Sequence, residues 1–80
     1  MKNVQLSDKA ARALSVVRCR GRRLRYVVDE ICHSSRYRLS VRYEAPDGEE
    51  VRLGLVYSAD REGLEALGAR LQGDDLAAAR

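Results

Sequence analysis

The feature that most constrains this chain is a strict alternation that runs twice, with a turn between the two runs. Tyr37, Leu39, Val41 and Tyr43 alternate with Arg36, Arg38, Ser40 and Arg42, and after Pro46-Asp47-Gly48 the residues Val51, Leu53, Leu55 and Tyr57 resume the same period. Successive side chains on an extended strand point to opposite faces, so a period of two with one apolar set marks a strand half-buried against a core. Proline pre-sets its own φ for a turn and glycine is free to take positive φ. The pattern therefore predicts a β-hairpin from about residue 36 to residue 57, with a basic outer face on its first strand.

The flanks read as helix. Val4 to Leu6 suits a short strand, and Ser7 with Asp8 offers side-chain oxygens to cap a helix behind it. In that helix Ala10, Ala11, Leu14 and Val17 or Arg18 recur at the spacing of one buried face, and Gly21 should end it. Residues 24–31 fit two periods: Leu24, Val27, Val28 and Ile31 match a helical face, while Tyr26-Val27-Val28 favours a strand. After the hairpin, Ser58 or Asp60 caps a last helix with Leu64, Leu67 and Leu71 on one side, and the residues after Gly73 are expected to fray.

Eighty residues make one domain, 1–80, with its core within 3–76, and a domain of this size buries only about 60–65% of its unfolded surface. With no Phe or Trp and four Tyr, the interior has to be aliphatic and shallow, which argues against a large ligand pocket. No apolar run approaches the roughly 18–20 residues that span a bilayer, and the start has no signal-peptide character, so a soluble, cytoplasmic protein is expected. Cys19 and Cys32 are too few to staple a small secreted domain and read as thiols of a reducing compartment. Charge is split unevenly: residues 1–42 carry a net +8 and residues 43–80 a net −5. Such a split either steers the protein to an anionic partner or lets the two halves attract each other.

Two groups of residues point to chemistry. Cys32 follows a strand-like run, with His33 next to it and Arg36 and Arg38 nearby to favour the thiolate, a soft ligand suited to iron and iron–sulfur clusters. Cys32 and His33 reach one metal only where the backbone turns, which Ser34 and Ser35 permit. The second group is Arg18, Arg20, Arg22, Arg23 and Arg25, five guanidiniums around Gly21 that suit phosphate contacts. Each has a plainer alternative, a small buried thiol in one case and a solvated basic loop in the other. With one histidine, no nucleophile elbow and no phosphate-cradling glycine loop, the chain does not read as an enzyme.

The opening Val4-Gln5-Leu6-Ser7-Asp8-Lys9-Ala10-Ala11, the Leu24-Arg25 run toward Cys32, the tyrosine at Tyr37 five residues on and the ending Leu71-Gln72-Gly73-Asp74-Asp75-Leu76 together resemble the HesB/IscA-like family. The resemblance implies a compact α+β domain: short N-terminal strand, helix, three-stranded meander and C-terminal helix. It also implies an iron or iron–sulfur carrier that serves assembly or recipient proteins, with Cys32 and Tyr37 at the metal; His33 would add an imidazole beside Cys32, and a homodimer would bring two such pairs together into a four-ligand site. The family's C-terminal Cys-x-Cys is missing, so the chain resembles a degenerate member with few ligands, or with no cofactor and a protein-interaction role. Cys19 falls outside the family's motif. A rival treats 24–31 as a helix, and the chain then resembles the ribbon-helix-helix DNA-binding proteins, with Asn3 and Gln5 reading bases and the Arg18–Arg25 cluster holding phosphates.

Overall fold

The computed structural model describes residues 4–78. Helix α1 (Asp8–Arg20) is followed by three strands, β1 (Arg22–Glu30), β2 (Tyr37–Glu44) and β3 (Glu50–Ser58), and then by helix α2 (Arg61–Ala78). The strands form one antiparallel sheet in the order β1-β2-β3, so the chain is a small α+β domain built on a meander.

The predicted hairpin forms as β2 and β3. Its turn is closed by the Gly48 amide donating to the Ala45 carbonyl at 2.9 Å, with Pro46 at the first central position and Gly48 at φ 88°. That is a turn for which proline and glycine are each suited. Residues 24–31 resolve in favour of the strand, since β1 pairs along β2 from Arg22 opposite Glu44 to Glu30 opposite Tyr37. The second helix on which the ribbon-helix-helix reading depended is therefore absent from that stretch.

Both helices lie on one face of the sheet. The odd-numbered residues of β2 point into that layer, where Leu39 and Val41 are fully buried with Leu14 and Val17 of α1, Leu55 of β3 and Leu64, Leu67 and Leu71 of α2. A side chain on Gly68 would approach Leu39 and Tyr26, so α2 runs close over β1 and β2. In α1 the inward face is Ala10, Ala13, Leu14 and Val17; of the alternatives Val17 and Arg18 it is Val17 that is buried, while Ala11, expected on this face, is exposed. Ser7 caps α1 by accepting the Ala10 amide at 3.1 Å, and Asp60 caps α2 by accepting the Gly63 amide at 3.0 Å.

Two expectations need correction. Residues 4–7 form no strand: the sheet gives them no ladder, and Val4 lies instead against Gly63 in the first turn of α2, with Leu6 also packed on the core. Asn3 lies outside the described residues. The second correction concerns the end of the chain, because α2 continues through Gly73 to Ala78. Asp75, in that last stretch, accepts from Arg18 of α1 and Tyr26 of β1, and this clamp holds the helix beyond its glycine. No helix among the described residues is long and apolar enough to cross a membrane.

Candidate functional site

The arginine cluster divides once the chain folds. Arg18 donates Nε to Asp75 Oδ1 at 2.7 Å, and the other oxygen of Asp75 accepts the Tyr26 hydroxyl at 2.6 Å. Burial, and then the hydrogen bond and charge of Asp75, push the Tyr26 phenol from 10.0 up to about 12. Arg25 reaches Glu50 at 3.2 Å. Arg20, Arg22 and Arg23 stay exposed and have no carboxylate partner among the described residues.

Two further cations join those three. Lys9 and Arg12 are exposed and unpaired among the described residues, and helical spacing sets them on the same strip of α1 as Val16 and Arg20. Val16 is 56% exposed in the middle of that strip. The 9, 12, 16, 20 spacing is present in the sequence, alongside the apolar periodicity of the buried face. The cationic surface is thus one side of α1 and its turn into β1, with Arg18 and Arg25 withdrawn to ion pairs.

The opposite face of the sheet, which no helix covers, carries Arg25, Arg38, Arg42 and Arg52. Arg25, Arg42 and Arg52 are direct partners across the three strands, as are Val27, Ser40 and Gly54 in the next row and Asp29, Arg38 and Tyr57 beyond it. Asp29 holds Arg38 at 3.1 Å and Arg52 at 3.3 Å, while Glu50 holds Arg25 and Arg42, the latter at 3.4 Å. Because Arg52 stretches from β3 to Asp29 on β1, its chain passes over Ser40 on β2, which has no exposed surface.

The thiol side of the molecule is simpler. Ser34 donates its amide to the Ile31 carbonyl at 3.1 Å, which puts Cys32 and His33 at the two central corners of a turn between β1 and β2. Both are exposed, and His33 takes φ 59°. The backbone does turn there, as a shared ligand site for the two side chains requires. Tyr37 is half-buried on the helix side of the sheet, with the Arg61 guanidinium 5.8 Å from its ring centre, so its ring serves packing. Among the described residues no group of three or more His, Cys, Asp or Glu is gathered for a metal. Cys19 lies on α1 just before β1 begins and Cys32 just after β1 ends, a separation of roughly 30 Å along the strand, far beyond the ~7 Å reach of a disulfide.

One shallow depression of about 200 Å³ lies where the β2–β3 turn meets the start of β1, lined by Arg23, Arg25, Tyr43, Glu44, Gly48 and Glu50. Two arginines against two glutamates leave it without a net charge to select a ligand. No protein-family model matches this chain, and no curated protein or solved structure matches it significantly.

Proposed function

We propose that this domain binds nucleic acid through the phosphate backbone, with the outer strip of α1 and the α1–β1 turn as the contact surface. The observation that carries this reading is the placement of Lys9, Arg12, Arg20, Arg22 and Arg23. All five are exposed, they follow one another along one helix and the start of the next strand, and none forms an ion pair among the described residues, although Arg22 stands opposite Glu44 across the ladder. From Lys9 to Arg20 the helix rises about 16 Å, the axial length of about five phosphates of one duplex strand.

Anisotropy of a labelled duplex of about 20 base pairs, titrated between about 50 and 200 mM salt, tests it. Four to five phosphate contacts give a slope of about −4 for log affinity against log salt, and Arg12→Gln with Arg20→Gln should flatten it by about 2. Binding that ignores salt, or no binding at the lowest salt, would sink the reading.

A second reading is favoured by the turn at Cys32 and His33, which presents a thiol and an imidazole side by side on an exposed corner. In it the pair holds iron or an iron–sulfur cluster, as in the HesB/IscA-like carriers that the sequence resembles. A cluster takes about four protein ligands, so a symmetric homodimer has to bring two such corners together. Anaerobic reconstitution with ferrous iron and sulfide should give a visible thiolate-to-iron absorption that Cys32→Ser abolishes. Colourless wild-type protein rejects it. A cytoplasmic location, where exposed thiols stay reduced, suits both readings.

A further inference from the structure

Two unfavourable features meet on the open face of the sheet, and both are relieved by the same kind of ligand. The first is the row Arg25, Arg42, Arg52: like charges directly opposite one another weaken a sheet, and here three stand abreast. Two carboxylates reach them, Glu50 at the exposed end of β3 and Asp29, which Arg38 already occupies. The second is Ser40, in the adjoining row. It has no exposed surface, and among the described residues its Oγ has no hydrogen-bond partner; the Nε of Arg38 and the Oδ1 of Asp29 on the same face are likewise buried and unpartnered, the latter an acceptor that a phosphate does not satisfy.

Ser40 sits at the centre of this arrangement. Arg38 and Arg42 are its same-face neighbours along β2, each about 7 Å away, and Arg52 is its diagonal neighbour on β3 at a similar spacing. On either side the floor is low, with Val27 across one ladder and Gly54 across the other. Tyr57 lies over Gly54, where its hydroxyl would stand 2.9 Å from an added Cβ, and the tyrosine is 57% exposed. Three guanidiniums, a hydroxyl that lacks a partner and an exposed aromatic ring thus share one patch.

We propose that this face is a phosphate site for single-stranded nucleic acid. The Ser40 hydroxyl donates to one phosphate oxygen, Arg42 and Arg52 pair with the others, and the Tyr57 ring stacks on a neighbouring base. Arg52 exchanges Asp29 for the phosphate, while Arg38 keeps the Asp29 carboxylate neutralised in its place. That swing also moves the Arg52 chain off the path from β3 to Asp29 that crosses β2 at the level of Ser40. A duplex keeps its bases stacked on one another, so a single strand alone offers both the phosphate and a free base face.

The inference rests on the nucleic-acid reading but uses side chains of the sheet, Ser40, Arg42, Arg52 and Tyr57, that are distinct from the Lys9, Arg12 and Arg20 strip of α1, and the two are separable. The probes are a fluorescein-labelled oligothymidylate of about ten nucleotides and a duplex of equal length, a site size within the range of about 4–16 nucleotides seen for single-strand binding grooves. Ser40→Ala should weaken oligothymidylate binding about tenfold, the loss expected for one hydrogen bond to a charged group, and leave the duplex unaffected. The same variant should melt no lower than the wild type, since it removes a buried hydroxyl with no partner, so its loss of oligothymidylate binding is not a loss of fold. Arg52→Gln and Tyr57→Ala should each weaken the oligothymidylate by about tenfold as well. Wild-type affinity for the oligothymidylate in Ser40→Ala and Arg52→Gln overturns the sheet-face site. If those variants lose the single strand while Arg12→Gln with Arg20→Gln keeps the duplex, the α1 reading fails and the sheet-face site stands. Failure of both probes to bind the wild-type protein overturns both.

Discussion

At the scale of single residues, the backbone holds two side chains where glycine would be at ease. Arg23 takes φ 54° and His33 φ 59°, in the left-handed region that crowds Cβ against a carbonyl oxygen. Replacing either with glycine should raise the unfolding free energy by roughly 0.5–1 kcal/mol, the relief of that crowding less the greater freedom of glycine in the unfolded chain. Urea denaturation checks it, and an unchanged or lower midpoint for both variants would mean that the surroundings have already absorbed the strain. Gly21 shows the reverse. Its role as a helix stop was legible in the sequence, but a Cβ there would lie 2.6 Å from the Tyr43 ring and 2.8 Å from the Val17 carbonyl. Gly21→Ala should therefore cost about 1–3 kcal/mol, through a contact that no local pattern encodes.

At the scale of elements, the hairpin was legible because alternation, proline and glycine all agreed over Tyr37 to Tyr57. Residues 24–31 were not, since their apolar positions satisfy both periods and only the presence of β2 alongside decides for the strand. The end of α2 was illegible for a related reason: Gly73 reads as a stop, and the clamp of Arg18 and Tyr26 on Asp75 that overrides it joins residues far apart in sequence. The clamp is sensitive to alkali. Tyr26 has a folded pKa of about 12 against an ordinary 10.0, so the protonated phenol is favoured by folding. Its contribution is complete below about pH 10 and is lost as pH rises from 10 toward 12. Tyr26→Phe should lose about 1 kcal/mol near neutral pH and show a shallower alkaline decline than the wild type. Hydrogen exchange should locate the weakening in the last turns of α2, and uniform protection there would contradict the clamp.

At the scale of the whole molecule, the uneven charge of the sequence serves two ends at once. Three of the six ion pairs among the described residues, those of Arg18, Arg25 and Arg42, join a cation of residues 1–42 to a carboxylate of residues 43–80, so part of the asymmetry is internal attraction. Of the described cations that form no ion pair, five lie on α1 and the start of β1, while Arg36 and Arg70 stand elsewhere. The arginine row of the sheet could not be read in advance, because its register depends on irregularities between Arg22 and Arg25 and between Leu39 and Ser40. The core is small, as the composition implied, and its centre is Leu39, with no exposed surface. Leu39→Ala should cost about 2–5 kcal/mol, against a total stability of about 4–12 kcal/mol for a chain of this length, and thermal melting should show a partly unfolded population at 37 °C. A melting temperature within a few degrees of wild type would mean that α2 settles into the gap.

Those same irregularities have a consequence for how the molecule behaves in a crowd. Both outer strands of a three-stranded sheet offer unpaired backbone groups to any neighbour, which is the usual starting point for ladder-to-ladder aggregation. Here the β1 rim is broken near Arg23 and edged with Arg22, Arg25, Asp29 and Glu30, and the β3 rim is interrupted at Leu55 and begins with Glu50 and Arg52. A second copy that approaches edge-on meets a kinked, charged border, which disfavours the addition of a fourth strand.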